Sequence, residues 1–213
     1  MMLDLPLSTV VNRRIPKESF YNKTVGTAKM RDMMRDQMES IVWKHKIAES
    51  TMAVKAGEHV LEIQVIEIRL RQREIDKRII SAIVQTIPYK LLLVILSGTA
   101  VQLWMESSGM FYYTPWESQD SIQLKFEGLD LDEMYANLVR QIARGRLGYG
   151  GNLEEAVERD KKCRKLEREI EILERKVFQE RQFNRQVELN ESLKRLKKEL
   201  EDTSPWDGGY PDG

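Results

Sequence analysis

Val60-Leu61-Glu62-Ile63-Gln64-Val65-Ile66-Glu67-Ile68-Arg69-Leu70-Arg71 is the stretch on which the fold turns. β-Branched residues crowd it, and from Ile66 onward apolar and charged residues alternate with period two, the pattern of a strand with one buried face. Ile66, Ile68 and Leu70 share that face with Glu62 and Gln64, while Glu67, Arg69 and Arg71 point the other way. Two polar groups thus stand at the start of a core-directed face, and buried polar groups need partners. Glu62 and Gln64 therefore either close a structural network or line a pocket.

Outward from this strand, Thr51 to Lys55 reads as a second one, joined to it by a turn at Lys55-Ala56-Gly57-Glu58. Thr27 to Ala48 reads as a helix, because Met30, Met34, Met38, Ile41, Val42 and His45 recur at three- and four-residue steps. Glu74 to Ile87 reads as another, closed by Pro88. Leu91 to Leu96 is a buried strand by composition, and Ala100 to Met105 returns beside it after Gly98-Thr99. Ser107 to Asp120 is an aromatic loop, Ser121 to Phe126 a strand, and Asp130 caps a helix that buries Leu131, Met134, Tyr135, Leu138, Val139 and Ile142. The expected fold is α+β, a mixed sheet of about five strands with packed helices, followed by a long C-terminal coiled-coil-like helix. Residues 1–26 form a lead-in in which Pro16 holds Ile15 extended and Phe20 and Tyr21 latch onto the body. Residues 27–146 form the globular domain, 147–151 a Gly-rich hinge, 152–202 a helical arm and 203–213 a disordered tail.

The arm has no Gly or Pro. Leu166, Ile170, Leu173 and Val177, then Val187, Leu193, Leu196 and Leu200, step as a coiled-coil seam does. At 1.5 Å per residue a continuous helix would reach roughly 75 Å, so its stripe needs a partner. A homodimer, a helix folded back on its own domain and an arm that docks on a different protein all satisfy that need. The register breaks at Glu180 to Asn190, and Leu193, Leu196 and Leu200 belong to a shifted one. Glu180, Gln182, Phe183, Asn184, Val187 and Asn190 make this polar island a candidate partner-binding surface. A stutter in an ordinary coiled coil would produce the same break.

Lys+Arg and Asp+Glu are equal at 34 each, which argues against a dedicated non-specific nucleic-acid binder. A local basic patch can still hide inside a neutral total. One cysteine, Cys163, and two histidines, His45 and His59, offer neither a disulfide framework nor a metal cluster, and no cofactor motif is present. The longest apolar run is too short for a bilayer and no signal-peptide pattern opens the chain, so a cytoplasmic protein without membrane contact is expected. Lys17, Tyr21, Trp43, Lys46 and Thr51 form a candidate pocket. The one catalytic pattern is Glu49 with Glu62-x-Gln64 and Lys46, similar to restriction nucleases, in which carboxylates hold Mg²⁺ and a third group, the lysine, orients water. Gln stands here where those enzymes carry Lys.

Several motifs together resemble a bacterial and archaeal family of unknown function. They are Ile15-Pro16-Lys17 with Phe20-Tyr21, Trp43-Lys44-His45-Lys46-Ile47-Ala48-Glu49-Ser50-Thr51, Glu62-Ile63-Gln64, and Glu180-x-Gln182-Phe183-Asn184 through Val187-Glu188-Leu189-Asn190. The resemblance covers nearly the whole chain up to Asp202. It implies partnership with SNF2-type helicases and DNA methyltransferases in restriction and anti-phage defence. A non-catalytic scaffold subunit is the function expected from it, with indirect DNA contact and self-association through the arm as further expectations. The alternatives are a degenerate Mg²⁺-dependent nuclease and a homodimeric coiled-coil adaptor.

Overall fold

The structure, a computed structural model, describes residues 3–21 and 27–204. The tail expected to be disordered lies, from residue 205 onward, outside the described residues. The chain divides into two compact units, Met1–Ala143 and Arg144–Gly213. None of the helices described is long and apolar enough to cross a membrane.

The first unit is a mixed sheet with helices packed on it. Its strands are β1 (Val10–Arg14), β2 (Met38–Ala48), β3 (Glu62–Leu70), β4 (Lys90–Ser97), β5 (Ala100–Ser107), β6 (Met110–Tyr113) and β7 (Glu117–Ser118). β1 to β6 lie in chain order across the sheet, and β7 pairs with β5. All pairs are antiparallel except β3 with β4. That parallel pair needs a crossover, which α3 (Lys77–Thr86) supplies. Its N-cap Asp76 accepts from Arg78 N, and the Arg78 guanidinium holds the Asp76 carboxyl down to about 2.

One face of the sheet carries Met38, Ile41, Ile66, Ile68, Leu93, Ile95 and Trp104. It is covered by α1 (Glu18–Tyr21), α2 (Thr27–Gln37) and α3 through Phe20, Met30, Met34, Ile79, Ile80 and Ile83. Phe20, half of the expected aromatic latch, is thus core; the side chain of Tyr21 lies outside the described residues. The apolar side of α4 (Leu131–Ala143) buries the six residues expected of it, and α4 packs on β3, β5 and β6. On that opposite face Lys90 Nζ sits 5.0 Å from the centre of the Tyr135 ring.

The helix expected over 27–48 stops at Gln37, and Met38–Ala48 is a strand. The helical spacing of its apolar residues has a different cause. β2 is bulged against β3 between Met38 and Ser40 and again between Trp43 and His45. Each bulge inserts one residue, so two positions on one face, Met38 and Ile41, are three apart rather than two. His45 falls on the other face, also buried. The Trp43 indole N–H donates to His45 O at 3.0 Å, across the second bulge. A strand with two bulges therefore imitates the period of a helix.

Two expected strands are absent. Residues 51–55 are turns and bends, with an isolated parallel bridge from Lys55 to Asp130 just before α4. Residues 122–126 are extended but unpaired as a ladder; the side-chain amide of Gln141 accepts from Lys125 N and donates to Lys125 O, both at 2.9 Å, as a neighbouring strand would.

The turn before β3 is held by Asp132 in the first turn of α4. Its carboxylate accepts from Glu58 N at 2.8 Å, His59 N at 3.2 Å and Val60 N at 2.6 Å. A Cβ on Gly57 would lie 2.4 Å from Asp132 Cγ and 2.7 Å from Asp132 N. Gly57→Ala must therefore expel the carboxylate and leave those N–H groups to water. A cost of about 2 kcal/mol is expected in urea unfolding, at the low end for charge-assisted bonds because the turn is solvated. Asp132→Ala should cost a similar amount, and the double variant little more than either, since both remove the same bonds. Additive losses would mean that Gly57 acts otherwise.

The second unit is a helical hairpin. Asn152 caps α5 (Leu153–Gln179) by accepting from Glu154 N and Glu155 N, whose own carboxylates favour the N-terminal dipole. The single arm expected over 152–202 breaks at Glu180-Arg181-Gln182, and α6 (Phe183–Thr203) returns along α5. Ion pairs Lys162–Glu199 at 3.1 Å and Lys197–Glu174 at 2.8 Å link the two helices. The reason is the shifted register. A continuous helix would carry Leu189 about a third of a turn around from Val177, leaving two stripes that no single surface covers. Turning back brings the stripes together. Leu189, not Val187, completes the second stripe with Leu193, Leu196 and Leu200; all four are half-buried and Val187 is exposed.

Candidate functional site

Antiparallel pairing of β2 and β3 sets Lys46 beside Gln64 and Ala48 beside Glu62. Lys46 Nζ and Glu62 Oε2 form an ion pair at 2.6 Å, and Gln64 Nε2 donates to Glu62 Oε1 at 2.8 Å. Both carboxylate oxygens of Glu62 are thus engaged by donors. Gln64 is buried, and its Oε1 has no hydrogen-bond partner among the described residues. An unmatched buried carbonyl costs about 1–3 kcal/mol. Of the two readings left open for that face of β3, a bonded network is seen, and it ends in an open acceptor.

Glu49 does not join it by any bond described. Its carboxylate accepts from Ala56 N at 3.4 Å. Among the described residues no group of three or more His, Cys, Asp or Glu is arranged to hold a metal ion. Of the four residues of the nuclease pattern, the structure brings together Lys46, Glu62 and Gln64.

The pocket set divides along β2. Lys17 Nζ donates to Met38 O, at the start of the strand. Lys46 lies eight residues on, roughly 26 Å away along an extended chain. There Thr51 closes the strand end: its hydroxyl donates to Lys46 O at 2.7 Å and accepts from Ala48 N at 3.0 Å. Trp43, between the two ends, packs against the core. Lys46 and Thr51 are neighbours, and Lys17 belongs to another part of the surface.

In the hairpin, Glu180, Gln182, Phe183 and Asn184 lie at the turn, Val187 one helical turn and Asn190 two helical turns along α6. Glu180 Oε1 accepts from Arg181 N and Gln182 N, both at 2.9 Å, and Glu180 Oε2 faces Arg185 Nε at 3.5 Å. These bonds replace the Gly or Pro that usually ends a helix. Gln186 Nε2 donates to Val177 O at 3.3 Å across the turn, and Asn190 Nδ2 donates to Gln186 O. Gln182 is the N-cap residue of α6 and makes no side-chain cap. Phe183, at 74% exposure, and Val187, at 41%, stand out from it. Sequence reasoning missed Phe178, which is 91% exposed on the other side of the turn. Its signal was available: it follows Val177 directly and so falls off the α5 stripe.

Two phenylalanines so exposed leave each ring's apolar surface in water, at roughly 25 cal/mol per Å² relative to burial. The segment around the turn combines them with carboxamides and the Glu180–Arg185 pair, a mixture of exposed aromatic and polar side chains of the kind enriched in protein-binding patches.

A family model described as a domain of unknown function (DUF4391) matches residues 3–200. No curated protein and no solved structure matches the chain.

Proposed function

The chain belongs to the DUF4391 family, a domain of unknown function, and we propose that it is a non-catalytic interaction subunit whose helical hairpin docks on a partner protein. The carrying observation is the pair Phe178 and Phe183 left in water on the two sides of one turn. Gln182, Asn184 and Asn190 supply the polar rim, and Glu180 holds the turn that presents them. The partner we propose is the SNF2-type helicase or DNA methyltransferase implied by the motif resemblance, within a restriction-like anti-phage complex.

Affinity capture of the tagged chain from its native cell, with mass spectrometry, tests this. A helicase or methyltransferase should be recovered stoichiometrically. Phe178→Ser with Phe183→Ser should weaken its capture at least about 100-fold, since buried aromatic anchors contribute about 2 kcal/mol or more each. The variant's melting temperature should not fall, because neither ring is packed. Unchanged capture by the double variant, or recovery of the wild-type chain alone, would defeat the proposal.

A second reading rests on the open acceptor of Gln64. It makes the strand-end cluster of Lys46, Glu62 and Gln64, to which Glu49 would have to be recruited, a degenerate nuclease centre dependent on Mg²⁺. DNA cleavage with Mg²⁺ or Mn²⁺ that Glu62→Ala abolishes would support it over the interaction subunit.

A further inference from the structure

We propose that a basic cleft at the N-terminal end of β2 binds the phosphodiester backbone of nucleic acid directly. The cleft, of about 660 Å³, is lined by Arg14, Lys17, Arg31, Arg35 and Arg71, with two carboxylates, Glu18 and Glu39, beside them. Its cations come from separate elements. Arg14 ends β1, Lys17 precedes α1, Arg31 and Arg35 lie on α2, and Arg71 follows β3. Pairing of β1 and β3 on either side of β2 brings the ends of those strands to one place. Local positive charge is thus gathered by topology in a chain whose total is neutral.

The cations are not equally compensated. Arg35 is paired with Asp32 at 2.9 Å and Asp36 at 3.1 Å. Arg14 and Arg71 make no ion pair among the described residues; Arg71 Nε donates only to Arg35 O, at 3.2 Å. Both side chains are exposed, with guanidinium forks that suit phosphate oxygens. The surplus is felt by Lys17, which burial, then Arg71 and Arg14, push below the ordinary lysine value. A bound phosphate would relieve that repulsion. The cleft is much larger than one phosphate group and its cations come from separate segments of the chain, which fits a chain of phosphates better than a single anion. Contacts to phosphate carry no sequence information, so binding with little sequence preference is expected.

This site is independent of the hairpin and fails or stands separately from it. The test is fluorescence anisotropy of the full chain with labelled 20-mer single-stranded and duplex DNA. The wild type should bind, and weaken about 100-fold between 50 and 200 mM NaCl, as about four phosphate contacts would give. Arg14→Gln with Arg71→Gln should weaken binding at least tenfold at 50 mM and lower the salt slope by about 2. Both side chains are exposed, so the melting temperature reports whether the fold is intact. Arg14→Lys with Arg71→Lys, which keeps the charge, should retain the slope. Phe178→Ser with Phe183→Ser should bind DNA as the wild type does. The proposal is overturned by a wild type that does not bind, by a glutamine variant that binds equally, or by inorganic pyrophosphate displacing the DNA at micromolar concentration, which would mark a small-anion site.

Discussion

Asp160→Ala is expected to destabilise the helical hairpin by about 2–3 kcal/mol, the loss of charge-assisted hydrogen bonds to arginines that stay partly in water. Asp160 is 2% exposed on α5. One of its carboxylate oxygens faces Arg146 Nε and the other Arg164 Nε, both at 2.8 Å. Arg146 continues to Glu167 through two contacts of 3.1 Å. Those acidic partners hold the Arg146 guanidinium above its ordinary value, against the opposing effect of burial. Removing Asp160 leaves an exposed Arg146 and a partly buried Arg164 facing each other without the carboxylate between them. The loss should be read from the helical circular-dichroism signal during urea unfolding. Replacing the whole group, Arg146→Met with Asp160→Leu and Arg164→Met, should recover most of it, because no desolvated charge then remains. An Asp160→Ala variant within 1 kcal/mol of the wild type would mean that water already compensates the arginines.

Ile68→Ala should cost the sheet unit about 4 kcal/mol. Ile68 is fully buried in the middle of β3, between Ile41 on β2 and Ile95 on β4. Neighbours from three strands and the covering helices fix the cavity walls, so the space left by the lost carbons collapses little. Ile68→Val removes one methylene and should cost about 1 kcal/mol. Equilibrium urea unfolding gives both numbers from the midpoint at constant slope. Equal losses for the two substitutions would show a core that repacks freely, contrary to the close packing of β2, β3 and β4.

Much of the fold was legible where one physical pattern dominates. The alternation of β3, the unbroken apolar run of β4 and the stripe of α4 each admit one solution, and each is present. β2 was misread because two bulges give a strand the spacing of a helix. β1 and β6 were missed because both are short, and β1 is mostly polar and exposed along the sheet edge. The hairpin turn was visible as a broken seam, yet a stutter gives the same break. The break between the helices, the ion pairs across them and the half-burial of Leu189 in place of Val187 distinguish the two. For the candidate sites, Glu62 and Gln64 could be paired from the pleat alone. The separation of Lys17 from Lys46 could not, since it depends on the length and direction of β2.

By itself, then, the sequence determined which faces must be buried and that the C-terminal stripe changes register. These follow from periodicity, which is local. Tertiary structure decided which strands are neighbours, where the second stripe finds its cover, and that Arg14 and Arg71 meet at one cleft. Those are contacts between residues distant in the chain, set by pairing and closure, and no local period encodes them.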